Sequence, residues 1–263
     1  STSHRAPKRG QNAPKGPKKR TNRKKGLWWK ILLGVLGGLL AIGIGLFTYL
    51  YVTTDIPQPE KVAIAEKTTV YYNDGTTEIG SFSEQNREII DCSVLPDYVG
   101  NAIVASEDRS FYRNGGIDIM GMARALYNNL TTGSRQGGST ITQQYAERYY
   151  LGDTTSYSGK IREAILAMKI ANSQDKQQVL CNYMNTIYLG RGAYGIQAAA
   201  QAYFGVDVSA LTLNQSASLA AIIKAPSVYA PHINPSSNRS RRQYILSVME
   251  DNGFITQEEA REA

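Results

Sequence analysis

The decisive stretch is Ser106-Glu107-Asp108-Arg109-Ser110-Phe111-Tyr112-Arg113-Asn114-Gly115-Gly116. The apolar run Tyr98-Val99-Gly100-Asn101-Ala102-Ile103-Val104-Ala105 leads straight into it and reads as a helix. Two adjacent carboxyls at the end of such a helix repel each other, and that end is the negative end of the helix dipole. Both effects favour a proton held within reach near neutral pH. Glu107 and Asp108 are therefore candidates for general acid or base work. Taken alone, the stretch fits an exposed acidic loop before a Gly-Gly turn at least as well.

Its neighbours change that balance. Gly137-Gly138-Ser139-Thr140-Ile141-Thr142-Gln143-Gln144 reads as a helix start whose free backbone N–H groups could receive a phosphate. Lys160-Ile161-Arg162-Glu163-Ala164 opens an amphipathic helix. Asn185-Thr186-Ile187-Tyr188-Leu189-Gly190-Arg191-Gly192-Ala193-Tyr194-Gly195 follows. In this order and spacing the motifs closely resemble those of the peptidoglycan glycosyltransferases. These are the glycan-polymerising domains of class A penicillin-binding proteins and of monofunctional transglycosylases. The resemblance runs from about Asp55 to the end of the chain.

It implies a mainly α, lysozyme-like fold with two lobes, head and jaw. A small β-hairpin and one N-terminal transmembrane helix complete it. It implies polymerisation of lipid II, a lipid-linked disaccharide-pentapeptide pyrophosphate, into β-1,4 glycan strands with inversion and loss of undecaprenyl pyrophosphate. By position, Glu107 is the base and Glu163 the second catalytic carboxylate, on the phosphate side. Asp108, Phe111 and Asn114 would shape the first site. Ser139, Thr140, Gln143 and Gln144 belong to the donor pocket, with Arg148, Lys160, Arg162 and Asn185 also on the substrate. A divalent ion, Mg2+ or Mn2+, could sit at the pyrophosphate. The implied partners are lipid II, the growing strand, the phospholipid membrane, moenomycin-type phosphoglycolipid inhibitors and other cell-wall synthesis proteins. A lysozyme-like glycan hydrolase and a non-catalytic membrane-anchored scaffold are the competing readings.

Four positions depart from the family pattern. Asn114 stands where His is usual. Glu147-Arg148 replace a Lys-Asn pair whose lysine meets the pyrophosphate, so Arg148 and Lys160 are expected to hold that group jointly. Gly159 replaces an Arg, and Gln215 a Glu.

The formal charge of +7 is unevenly spread. Residues 1–26 carry ten Lys or Arg and no acid, and Lys30 makes eleven. That leaves 18 of the 29 basic residues against all 22 acidic ones, a balance of −4 after the apolar segment. The basic tail cannot bury a core and suits anionic lipid headgroups better than nucleic acid. Leu27 to Val52 follows, with no charge between Lys30 and Asp55. A span needs about 20 apolar residues. Trp28, Trp29, Tyr49 and Tyr51 mark its interfaces, and the positive flank belongs in the cytoplasm. A cleaved signal peptide fits less well, because the run is too long and lacks a clear cleavage site. The expectation is a single-pass protein of the bacterial cell membrane, N-terminus cytoplasmic and catalytic domain outside. Its parts are residues 1–26 tail, 27–52 span, 53–95 linker and hairpin, and 96–263 glycosyltransferase domain.

Residues 69–82 read as a hairpin turning at Asp74-Gly75. Ile117 to Leu130 is apolar enough to lie on a bilayer or face a core. Cys92 and Cys181 could pair outside the membrane, or Cys181 could be a buried thiol. His4 and His232 are the only histidines and lie far from these motifs, which argues against a histidine triad or zinc site. Thr256-Gln257-Glu258-Glu259 starts a helix just before Ala263, so the chain reads as part of a longer, bifunctional protein. Ser173-Gln174-Asp175-Lys176 and Ser236-Ser237-Asn238 match two penicillin-site motifs, but no Lys-Thr-Gly accompanies them.

Overall fold

A computed structural model describes residues 23–56, 68–71, 73, 78–82, 86–133, 137–151 and 156–263. The basic tail before Arg23, most of the linker and the Asp74-Gly75 turn lie outside the described residues. The contacts divide the chain into residues 1–49 and residues 50–263. The first unit is dominated by α1 (Arg23–Thr53). Its stretch Trp28–Thr53 is long and apolar enough to cross a membrane, and none of it is buried in the protein.

The second unit is mainly helical. It opens with β1 (Thr68–Tyr71) and β2 (Glu78–Phe82), paired antiparallel as the hairpin expectation required. β3 (Asn86–Arg87) pairs in parallel with β4 (Ala193–Tyr194), a pairing the sequence did not suggest. The helices are α2 (Asp97–Glu107), α3 (Ile119–Thr132), α4 (Ile141–Tyr145), α5 (Tyr157–Ser173) and α6 (Lys176–Met184). They continue with α7 (Ile196–Phe204), α8 (Leu213–Ile223), α9 (Pro226–Tyr229), α10 (Pro235–Asp251) and α11 (Gln257–Glu262).

α8 lies at the centre of the core. Every residue from Ser216 to Ile223 is buried, and α2 and α10 pack against it. Ala217, Ala220 and Ala221 keep that helix thin, so its neighbours approach closely. α2 contributes Val99, Ala102, Ile103, Val104 and Ala105. Each fully buried Ile or Val contributes about 1.5–3 kcal/mol. This packing fixes the direction in which α2 delivers Glu107.

α6 stops at Met184, with Asn185 as its C-cap. Cys92 and Cys181 form a disulfide, which settles the choice between paired and free thiols. Asn185 clasps the same place: its Oδ1 accepts from Ile90 N at 3.0 Å and its Nδ2 donates to Ile90 O at 3.1 Å. α3 buries only Ala125 and exposes Ile119, Met120, Leu126, Tyr127 and Leu130. The core-facing alternative for this helix is thereby overturned.

Candidate active site

Glu107 closes α2, and Asp108 turns the chain out of it. Asp108 is buried and collects donors. It accepts from Ser110 N at 3.1 Å, Ser110 Oγ at 2.8 Å and Asn114 Nδ2 at 3.0 Å. It also accepts from Ile141 N at 3.2 Å, so one carboxylate binds the 108–116 loop to the start of α4. Gly116 lets the loop pass. It sits at φ 95°, and a Cβ there would meet Ala167 O at 2.4 Å. Phe111 is fully buried, with Lys176 Nζ 4.7 Å from its ring centre. Lys176 also donates to Asn114 O at 2.8 Å. Burial holds the Lys176 ammonium below its usual range, and the Asp108 charge works against that. Asp108, Phe111 and Asn114 were expected to shape the first site. Asp108 and Phe111 are buried, and Asn114 is half-buried and bonded to Asp108.

α4 carries the link between the two carboxylates. Thr140 caps it, accepting from Gln143 N at 3.1 Å, while Gln143 Oε1 accepts from Thr140 N at 3.1 Å. Gln143 Nε2 then donates to Glu163 Oε1 at 3.3 Å. The next residue, Gln144, donates from Nε2 to Glu107 Oε2 at 3.3 Å. Tyr183 OH donates to Gln144 Oε1 at 2.9 Å, which orients that amide. Burial, reinforced by the Glu107 charge, pushes the Tyr183 hydroxyl far up, so it remains a donor. Two adjacent glutamines on one short helix thus each hold one of the two glutamates. Ser139 stands half-buried beside the cap.

Glu163 has no exposed surface. Lys160 Nζ lies 2.6 Å from its Oε2, one helical turn earlier on α5, and about 3.3 Å from Glu147. Burial pulls the Lys160 ammonium down, but Glu163 and Glu147 outweigh it and hold it above its usual range. Lys160, half exposed, pairs with the buried Glu163, which the resemblance placed together with it on the phosphate side. This donor set by itself does not fit a resident divalent ion. Lys160 and Gln143 already occupy Glu163, and the described residues hold no cluster of three acids, cysteines or histidines.

Arg148 is exposed on the π-helical turn Ala146–Leu151 that extends α4, and its charge reaches Tyr183. Arg162 is exposed and makes no ion pair among the described residues. Asn185, expected on the substrate, is buried in its clasp on Ile90. Two departures find structural reasons. Gln215 is the reciprocal partner in the Thr212 capping box, where Gln serves as well as Glu. Gly159 is the third residue of α5, its N–H capped by Ser156 Oγ at 3.0 Å.

Arg241, on α10, escaped the sequence reading. Its Nη2 lies 3.9 Å from Glu107 Oε1 and donates to Ser106 Oγ at 3.2 Å. The charge environment first assigned to Glu107 counted Asp108 and the helix end and missed this cation. The Arg239-Ser240-Arg241-Arg242 cluster was the available signal, but nothing local says which helix α10 meets. Arg241 also lines a cleft of about 530 Å³ with Lys224, Tyr229, Ser237, Ser240 and Tyr244.

One partly exposed carboxylate with an arginine beside it, and a second bound to a lysine, give a helical acid–base pair of the kind that glycosyl transfer needs. Residues 74–250 match the family described as transglycosylase, and the chain belongs to that family. It is 40% identical over 236 residues to penicillin-binding protein 1A of Neisseria lactamica, covering 88% of this chain and 29% of that protein. It is 40% identical over 239 residues to penicillin-binding protein 1A of Aquifex aeolicus, covering 89% of this chain and 33% of that protein. The chain therefore spans about three tenths of the length of these relatives. A crystal structure of penicillin-binding protein 1A from Haemophilus influenzae aligns with 76% of this chain and 20% of its own, at 25% identity and a TM-score of 0.44.

Proposed function

We propose that this chain is the peptidoglycan glycosyltransferase part of a bifunctional penicillin-binding protein, anchored in the bacterial membrane by α1. The observation that carries the reading is the pairing through α4: Gln144 holds Glu107 and Gln143 holds Glu163. Family membership and the penicillin-binding protein 1A relatives support it.

The reaction follows from the two ends. A sugar hydroxyl of the acceptor attacks the anomeric carbon of the lipid-linked donor. A new C–O bond forms on one face while the bond to the pyrophosphate oxygen breaks on the other, which inverts that carbon. Glu107 takes the hydroxyl proton. The pyrophosphate leaves with the bonding electrons, and Lys160 and Arg148 supply the positive charge that meets it. Glu163 acts through Lys160, holding the ammonium in place and charged. The exposed apolar side chains of α3 rest on the bilayer surface, where lipid-linked substrates reside. The N-terminus lies on the cytoplasmic side and residues 50–263 outside, following the basic tail. Moenomycin-type phosphoglycolipids compete for the Lys160 and Arg148 end.

Incubating the 263-residue chain with lipid II in detergent tests this. Polymer is the expected product. Short soluble products signify a hydrolase, and neither product signifies a scaffold; either result overturns the proposal.

A further inference from the structure

Arg241 belongs to none of the motifs that carry the family resemblance, and it follows Ser106 by 135 residues. α10 brings it back onto the end of α2, with which it packs. There its Nη2 donates to Ser106 Oγ at 3.2 Å, and Ser106 Oγ lies 3.0 Å from Glu107 Oε1. The guanidinium stands over the Tyr229 ring at 5.3 Å, which fixes its plane. Side-chain exposures of 13% for Arg241 and 12% for Glu107 keep most water from the contact without sealing it, and Arg241 also lines the cleft.

The geometry is unlike an ordinary structural ion pair. Arginine and carboxylate usually meet through two parallel hydrogen bonds of about 2.7–2.9 Å. Here the approach to Oε1 is 3.9 Å, and Ser106 takes the hydrogen bond instead. A bidentate guanidinium would favour the charged form and make the carboxylate a weaker proton acceptor. This one keeps Oε1 lightly engaged and Oε2 on Gln144.

We infer that Arg241 is a positioning residue: through Ser106 and its own charge it aims Glu107 at the acceptor hydroxyl without tying up the oxygen that takes the proton. The inference rests on the proposed glycosyl transfer and on Glu107 as its base. It requires Arg241 to act on turnover rather than on donor binding, because its contacts all lie at the Glu107 end.

The test is steady-state polymerisation of lipid II by the 263-residue chain and its Arg241→Gln, Arg241→Lys and Ser106→Ala variants, with thermal unfolding of each. Misplacing a catalytic group by about 1 Å can cost on the order of 10²-fold. Arg241→Gln should therefore lower kcat by about 10–100-fold with KM for lipid II changed less than threefold. Arg241→Lys should recover at least about a third of the wild-type kcat, because the cation returns while the fork is lost. Adding Ser106→Ala to Arg241→Gln should cost little more, since both act through one contact. Wild-type kcat in Arg241→Gln overturns the inference, as does an equal loss in the Gln and Lys variants matched by a fall in unfolding temperature. If Arg241→Gln does not fold, a kcat in Arg241→Lys below about a tenth of wild type, at unchanged unfolding temperature, also overturns it. Those outcomes leave the glycosyltransferase reading standing. A wild-type chain that makes no polymer overturns both.

Discussion

The two glutamates of the site sit in opposite surroundings. Glu107 ends a helix, stays partly exposed, receives neutral donors on both oxygens and has its cation 3.9 Å away. Glu163 lies inside α5, has no exposed surface and touches its lysine at 2.6 Å. Residue type alone does not separate them. Access and counter-charge do: a proton acceptor must be reached and must keep a lone pair, whereas a carboxylate sealed behind a lysine can act only on that lysine. On the proposed reading, one does the chemistry and the other holds charge in place.

The largest expected effect comes from the first. Glu107→Gln keeps the Gln144 contact but removes the acceptor, so turnover should fall by about 10²–10⁴-fold with donor affinity little changed. Polymerisation at near wild-type rate would end the assignment. Glu163→Gln leaves Lys160 paired only with Glu147 and should lower turnover by about 10²-fold while weakening donor binding, because the cation is no longer held in register. If both variants show the same split between turnover and binding, the contrast between the two glutamates is wrong. Arg148→Ala sharpens the phosphate end. It should weaken donor or phosphoglycolipid binding by about 1.5–3 kcal/mol, the size of a charged hydrogen bond, measured by competition titration. Unchanged affinity would assign that charge to Lys160 alone.

The smallest effect lies behind Glu107. Asp118 caps α3 through Gly121 N at 2.8 Å, and its Oδ2 lies 2.9 Å from Ser110 Oγ, sharing that hydroxyl with Asp108. The Gly121 hydrogen bond is the main cause holding its carboxyl below the usual range, against a smaller opposing effect of burial. A carboxyl lowered on folding stabilises the protein above its unfolded value of about 3.9, and that stabilisation is lost as pH falls through the folded value. The wild type should therefore lose more stability than Asp118→Asn between about pH 4 and pH 2, read by thermal unfolding at each pH. Parallel curves would remove Asp118 from the acid response.

What could be read without the structure was local. The α2 run, the Gly-Ser-Thr helix start and the apolar excess of α3 are patterns within a dozen residues, and each became the expected element. What could not be read depends on where helices cross. Gln143 and Gln144 stand together in the sequence, but their division between Glu163 and Glu107 needs α2, α4 and α5 in one place. Arg241 needs α10 on α2. Asp108, Asn114 and Asn185 show a different limit: a polar side chain gives the same sequence signal whether it binds a substrate or a backbone. The Gly115-Gly116 turn was legible, and the structure adds that Asn114 Oδ1 accepts from Gly116 N and Asp108 from Ser110 N in the same loop.

The Thr140 cap restricts its own sequence. In a capping box Gln and Glu are ordinarily interchangeable, since either offers an oxygen to the first N–H. This chain uses that freedom at two exposed boxes, with Gln215 in one and Glu259 in the other. At position 143 the same oxygen does the same work, but the other half of the amide faces a buried carboxylate. A glutamate there would satisfy the helix and set two negative charges against each other out of reach of water. The freedom that a helix start normally leaves to mutation is closed at that one position, by a residue on the next helix.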